Sequence, residues 1–479
     1  MTASRLTVLI TLIALALGAV SVLQLESARR SVATEDVMLG RTPATIYEPS
    51  GASDMLVVVS HGFAGSRQMM DAISLTLARE GHSVVAFDYI GHGRHEEALS
   101  PEIGNVTGTT EDLVRQTLEV TERSRARTGQ NRVALVGHSM ATDVIVRAAQ
   151  RDPSVEAVVA ISMYSEAVTS SHPERLLIVS GMFEGRLRDV ALETVAQVGR
   201  AEEGFTARDG SVSRRAVVAP WVGHVGVLWS TRTLNEVSAW LGRATDAKST
   251  GPWILALLLS ITLLFKPIVS VLPKARRQTA QDLRPAIIAA SLSAVPASGL
   301  AMTGLPLNGL AAFGALALSF GSWGVLVLLL LQADLRLALR DLGGALVMVA
   351  WGLGAFALAL DRYGAAFVPT GPRAILFLSL LPGMLLFGLA DRHMVRGRGL
   401  LARIGLRVPF LLALVLAMTV HPAELGLTFT VLPVLVLFWA VYGTMARWVE
   451  ERSGPNGAGL GSGIVLAWAI AASTPLFNA

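Results

Sequence analysis

The sequence predicts a two-part chain: an α/β domain on a doubly wound, mostly parallel sheet, then an all-α bundle of transmembrane helices. Three observations carry this. Between residues 30 and 245, short β-rich runs alternate with helical patterns, and charges are spread throughout. From 252 to 476, long apolar runs dominate and charges are confined to short gaps. Over the 479 residues, 52% are hydrophobic and 16% charged, against about 25% charged in an ordinary soluble protein. The expected division is an N-terminal anchor (1–29), the α/β domain (30–245) and a polytopic transmembrane domain (246–479) of about eight helices.

The first apolar run, 6–23, follows a single arginine, Arg5. It exceeds the roughly 7–15 residues of a signal-peptide core, and no clean Ala-x-Ala site follows, so an uncleaved anchor is expected. Spans are expected near 252–271, 285–304, 308–331, 343–360, 374–390, 408–422, 426–445 and 460–476, each near the roughly 20 apolar residues that cross a bilayer. The gaps between them alternate in basic charge. Lys266, Lys274, Arg276, Arg277 and Arg284 mark the gap at the first of these spans, and 305–307 has none. Arg336 and Arg340 come next, then a gap with only Arg362 and Arg373. The stretch 391–407 carries Arg392, Arg396, Arg398, Arg403 and Arg407, the loop at 421–425 carries none, and Arg447 and Arg452 close the series. Basic loops stay in the cytoplasm, so 30–245 is expected outside it. The expected location is a bacterial plasma membrane, with membrane lipids as neighbours.

There is no cysteine, which excludes disulfides, thiolate metal sites and a cysteine nucleophile. The net charge of +4 reflects arginines flanking the spans, and no nucleic-acid partner is expected. The spans hold almost no ionisable residue, as suits a scaffold or lipid-contacting bundle better than a proton relay.

Within 30–245, β-rich runs fall at 55–60, 83–88, 132–136, 155–162, 175–179 and 215–219, with helical patterns at 69–79, 111–127, 140–151, 187–198 and 234–241. In such sheets ligands bind beyond the carboxyl ends of the strands, and the reactive residue types cluster there. The strand at 132–136 runs into Gly137-His138-Ser139-Met140-Ala141 and then a helix. This is G-x-S-x-A, a variant of the strained strand-to-helix turn that exposes a serine hydroxyl over the sheet. Serine needs a base. Of the histidines at 61, 82, 92, 95, 138, 172 and 224, only His224 follows a late strand. The orienting acid should lie between serine and histidine in chain order. Glu184, in Ser180-Gly181-Met182-Phe183-Glu184, is the candidate, with Asp189 next in line. The glycine-rich His61–Ser66 segment brings backbone close to a substrate, so the N–H groups of Phe63 and Met140 are the expected oxyanion donors. His61 reads as a structural loop residue. His92-x-x-His95 lacks the accompanying carboxylate of a metal motif, and neither metal nor cofactor is expected.

With HGFAGS (61–66), FDYIGHGRH (87–95), VGHSMA (136–141), SGMFEG (180–185) and GH (223–224) in order after successive strands, the chain resembles the α/β-hydrolase superfamily across residues 40–243. Ala141 stands where glycine is usual, and Glu184 where aspartate is commoner. The resemblance implies that fold and acyl transfer through a serine, but no particular substrate. The short connection at 164–175 leaves no room for a large lid. An anchor, a lipase-like block and then several spans are similar in layout to GPI inositol-deacylases.

The expected function is that of an extracytoplasmic esterase, lipase or thioesterase working through an acyl-enzyme on a small-molecule or lipid ester. A serine peptidase on the same triad, and a transporter or assembly factor with a binding-only domain, are the alternatives. Since every catalytic candidate lies in 30–245, that block alone is expected to suffice for small soluble esters.

Overall fold

The computed structural model describes residues 3–102, 106–243, 247–274, 282–420 and 428–479. The loop at 421–425, with Arg276, Arg277 and the proposed boundary at 245/246, lies outside the described residues. The chain forms two compact units. One is Ala19–Leu257 with Asp361–Ala366; the other is Met1–Gly18, Leu258–Leu360 and Phe367–Ala479.

The first unit is built on nine strands: β1 (Ala33–Leu39), β2 (Thr42–Glu48), β3 (Leu56–Ser60), β4 (Ser83–Phe87), β5 (Val133–His138), β6 (Val155–Ile161), β7 (Arg175–Gly181), β8 (Thr206–Asp209) and β9 (Val212–Ala219). Their order in the sheet is β1-β2-β4-β3-β5-β6-β7-β9-β8. The pairings from β4 through β9 are parallel, whereas β1–β2, β2–β4 and β8–β9 are antiparallel. The expected doubly wound, mostly parallel sheet is therefore a mixed one, with antiparallel hairpins at both margins. For β1–β2 and β8–β9 the physical reason is local. Hairpin-linked strands can only pair antiparallel, and tight turns at Gly40 and Gly210, both in the left-handed region, make those hairpins.

The central strands LVVVS (β3) and SVVAF (β4) are buried along their whole length, as strands covered on both faces must be. Val57, Val59, Val84, Ala86, Ala134 and Val136, on one face by the two-residue alternation, share a core with Ile73, Leu77, Leu234 and Val237. Those last four come from helices α2 (Asp71–Arg79) and α6 (Thr231–Trp240). Helices α3 (Glu111–Thr128), α4 (Ala141–Arg151) and α5 (Gly185–Ala196) pack against β3, β5, β6, β7 and β9. The connection from β6 to β7 contains no helix.

Nine helices among the described residues are long and apolar enough to cross a membrane, the first, Thr7–Arg29, being most of helix α1 (Ala3–Arg29). Each expected span falls on one of them, but several run further than their apolar cores. Pro372–Val395 and Leu400–Val420 take up most of 391–407 as helix. Arg407 there is bound to both oxygens of Asp391 at 2.7 Å, and Arg392 donates to Glu450 at 3.0 Å. Paired charges at helix ends thus replace part of the expected open basic loop, because a buried guanidinium requires a partner.

Candidate active site

Ser139 ends the turn from β5 into α4 with φ of 54°, a backbone strain that non-glycine residues rarely carry. Its neighbours explain why the sequence tolerates this. A Cβ on Gly137 would stand 2.9 Å from Ile145 Cδ1 on the returning helix. Ala141 is wholly buried, so the one extra methyl relative to the usual glycine is accommodated. Ser139 N–H donates to Ile161 C=O at 2.8 Å, and Thr142 Oγ1 donates to Ser139 C=O at 2.7 Å. The serine is thereby held to β6 and to its own helix.

Ser139 Oγ lies 2.8 Å from His224 Nε2, and His224 Nδ1 lies 2.6 Å from Glu184 Oε1. The other carboxylate oxygen, Oε2, accepts from Gly181 N–H at 2.5 Å and from Ser162 Oγ at 2.8 Å. Burial alone would raise the Glu184 pKa. The bonds from His224, Gly181 and Ser162 outweigh it and hold the carboxyl below its usual value. A carboxylate fixed at both oxygens fixes the imidazole in turn: Nδ1 carries the proton and Nε2 faces the serine as acceptor. The His224 side chain is 47% exposed while that of Glu184 is 5% exposed, so the chain runs from a buried anion to an open mouth. Asp189 is exposed on α5, and the structure does not bring it to His224.

The two segments that carry the expected oxyanion donors, Gly62-Phe63 and Met140, adjoin the serine. Met140 is the N-cap of α4, where free N–H groups and the helix dipole favour negative charge. On the other side, a Cβ at Gly62 would meet His138 Nδ1 at 2.9 Å and Ser139 Cβ at 3.0 Å, so only glycine lets the β3 loop approach this closely. The Gly62 carbonyl lies 2.7 Å from His61 Nδ1 and accepts from Gly65 N–H at 3.0 Å. In a planar trans peptide the following N–H points opposite to the C=O. Phe63 N–H is therefore turned away from His61. His61 Nε2 accepts from Tyr89 N–H at 3.1 Å, which leaves both of its ring nitrogens engaged with backbone.

His138 is the residue that motif reading missed. It occupies the variable position of G-x-S-x-A, where sequence assigns no role. The ring is buried, and its Nε2 lies 2.8 Å from the His224 carbonyl. Burial first, and the neighbouring His224 second, push its pKa down to about 4. The ring is therefore neutral at pH 7 and Nε2–H can donate to that carbonyl, steadying the backbone of His224. The linkage has a definite sign. Between about pH 6.5 and about pH 4 the unfolded chain protonates this histidine while the folded chain does not. The stability present above pH 6.5 is thus lost as pH falls toward 4, by about 3 kcal/mol in all. His138→Gln, which retains a donor but does not titrate, should flatten the fall in melting temperature between pH 6.5 and 4.5. An unchanged slope would show that His138 is not the acid-sensitive group.

Asp88, at the end of β4, ties the neighbouring loops together. It accepts from Arg67 N–H at 2.8 Å and from Arg94 N–H at 3.0 Å, and it pairs with the buried Arg67 side chain. His92 Nδ1 lies 2.9 Å from the Ile90 carbonyl, and His95 Nδ1 accepts from Glu97 N–H. No group of three or more metal-binding side chains occurs among the described residues. On the loops after β6, β7 and β9, Tyr164, Phe183 and Trp221 are exposed, with Trp221 79% exposed and at φ of 61°.

The profile of the serine aminopeptidase family, S33, matches residues 51–231. Among solved structures, the chain is similar to a dienelactone hydrolase from Anabaena variabilis, at 18% identity over 44% of this chain and 98% of that one, with a TM-score of 0.36. It is similar to a carboxylesterase from Bacillus subtilis at 15% identity over 49% and 98%, with a TM-score of 0.34. A lipase in an open form matches at 14% identity over 44% and 97%, with a TM-score of 0.33. No curated protein matches the chain. The matched residues take in Ser139, Glu184 and His224, and together with the α/β-hydrolase-like sheet the match supports a hydrolase.

Proposed function

We propose that the chain is a membrane-anchored serine hydrolase that cleaves carboxylic esters, lipid esters or thioesters among them, through an acyl-enzyme. The observation that carries this reading is the unbroken Glu184–His224–Ser139 series at 2.6 and 2.8 Å. His224 Nε2 takes the Ser139 proton as Oγ bonds to the acyl carbon. The carbonyl electron pair moves onto oxygen, where Phe63 and Met140 N–H donate to it. Collapse expels the alkoxide or thiolate, which receives the proton from His224. Water then repeats the sequence, with His224 as base, and frees the acid and the serine. Protons and electron pairs balance without a cofactor. The absence of a helix between β6 and β7 and the exposed Tyr164, Phe183 and Trp221 favour an apolar acyl group presented at an open mouth.

A peptidase on the same residues is the second reading, favoured by the description of the matching family. Fluorophosphonate labelling of the full-length protein, then rates on matched ester, thioester and peptide substrates, tests both. Labelling with ester turnover supports the first reading, and turnover of peptides alone replaces it with the second.

The alternating basic gaps support an extracytoplasmic position for the hydrolase block. A reporter active only outside the cytoplasm should be active when fused after Gly242 and silent when fused within 391–407. The reverse pattern would move the substrate to the cytoplasmic side.

A further inference from the structure

The unit that holds Ser139 is not confined to one stretch of sequence. Asp361–Ala366, the end of the apolar helix Leu339–Tyr363 and the residues just after it, belongs to the same compact unit. It is bound there at three separate places. Asp361 Oδ2 accepts from Arg94 Nη2 at 2.5 Å. Arg362 donates to both oxygens of Glu26, at 2.8 and 3.0 Å, and Tyr363 Oη donates to Glu26 Oε1 at 2.5 Å. Ala366 N–H donates to Ser66 Oγ at 2.9 Å, across 300 residues of sequence.

Two of these anchors sit at the carboxyl edge of the sheet, beside the site. Ser66 closes the His61–Ser66 segment, whose Gly62–Gly65 turn fixes the direction of Phe63 N–H. Arg94 lies in the loop after β4. Asp88 accepts from the backbone N–H of both Arg67 and Arg94, so the loops after β3 and β4 share one internal tie. Ser66 and Ala366 are both buried, and the Arg94 and Asp361 side chains are 29% and 13% exposed, so the first contact is shielded from water and the second largely so. A bond made in such surroundings resists replacement by solvent more than one on an open surface.

We infer that Asp361–Ala366 is a positioning clip for the oxyanion loop: through Ser66 and Arg94 it holds Phe63 N–H at the height where the tetrahedral oxygen forms. This rests on the reading of Ser139 as nucleophile and Phe63 as donor. It also changes an expectation drawn from sequence. Residues 30–245 contain every group that reacts, yet they lack this clip, so the isolated block would carry its oxyanion loop without one support.

The test uses the full chain in detergent with a short soluble ester. Asp361→Ala and Ser66→Ala should each lower kcat about tenfold and leave KM within about twofold, since a displaced donor weakens the transition state more than the bound ester. Fluorophosphonate labelling should slow in parallel. The exchanged pair Arg94→Asp with Asp361→Arg should recover most of the activity lost by either change alone. Should Asp361→Ala fail to accumulate, the exchanged pair and Ser66→Ala decide the matter. A kcat within twofold of the parent in both alanine variants would overturn the clip, as would equal effects on KM. A parent protein that is not labelled at Ser139 would instead remove the nucleophile reading, and the clip with it.

Discussion

Ser139→Ala should lose both ester hydrolysis and fluorophosphonate labelling while keeping the parent's melting temperature. The change removes one oxygen from a residue that is fixed through its backbone, so the turn into α4 retains the bonds to Ile161 and Thr142. Only the side-chain contact with His224 disappears. Where a triad acts as a unit, loss of its nucleophile lowers kcat on the order of 10⁶-fold, leaving only what the oxyanion donors and binding supply. That corresponds to about 8 kcal/mol of transition-state stabilisation. The measurement is kcat on a soluble ester with gel-based labelling of the same preparation. Persistent labelling in the variant would exclude Ser139 as the nucleophile.

His224→Ala should match that loss, because without it the hydroxyl has no base within reach. The acid separates two assignments more sharply. In Glu184→Gln, an amide replaces the carboxylate, and the Oε2 position must still accept from Gly181 and Ser162. The amide oxygen satisfies those donors, which turns the NH2 toward His224 Nδ1. The imidazole then accepts at Nδ1 and carries its proton at Nε2, the wrong tautomer for taking one from Ser139. A change of this kind lowers kcat by roughly 10⁴-fold with the geometry intact. Asp189→Asn, on the exposed face of α5, should leave kcat within twofold. Retained activity in Glu184→Gln together with loss in Asp189→Asn would transfer the acid role to Asp189.

The central sheet was legible because strands buried on both faces are written as unbroken apolar runs, as in LVVVS and SVVAF. The marginal strands were not. β1 reads ATEDVML and is exposed over most of its length, so no apolar alternation marks it, and Pro43 interrupts the pattern of β2. A local signal for β8 did exist: Asp209-Gly210 is a hairpin dipeptide, but a four-residue strand beside it gives too little periodicity to notice. The candidate residues Ser139, Glu184 and His224, which the structure brings within 2.8 Å of one another in series, could be chosen from sequence because a parallel sheet delivers its strand ends to one edge. What escaped were roles set by contacts distant in sequence. His138 acts on the backbone of His224, and Ser66 meets Ala366. Neither spacing nor composition encodes such meetings. The lengths of Pro372–Val395 and Leu400–Val420 escaped for another reason: hydropathy reports the apolar core of a helix, and Arg392 and Arg407 extend it with guanidinium groups paired to Glu450 and Asp391.

Trp221 shows how this domain would respond to selection. Its left-handed backbone works against stability by roughly 1–2 kcal/mol, and its indole is mostly in solvent, so it returns little through packing. Glycine at 221 would relax the turn at once. A library screened for heat resistance alone is therefore drawn toward losing the ring; under the proposed function, with an apolar acyl group met by the exposed aromatic loops, a library screened for turnover is drawn toward keeping it. Under that reading, position 221 is where robustness and reactivity would be traded against each other, three residues from the candidate base and outside the reach of any motif.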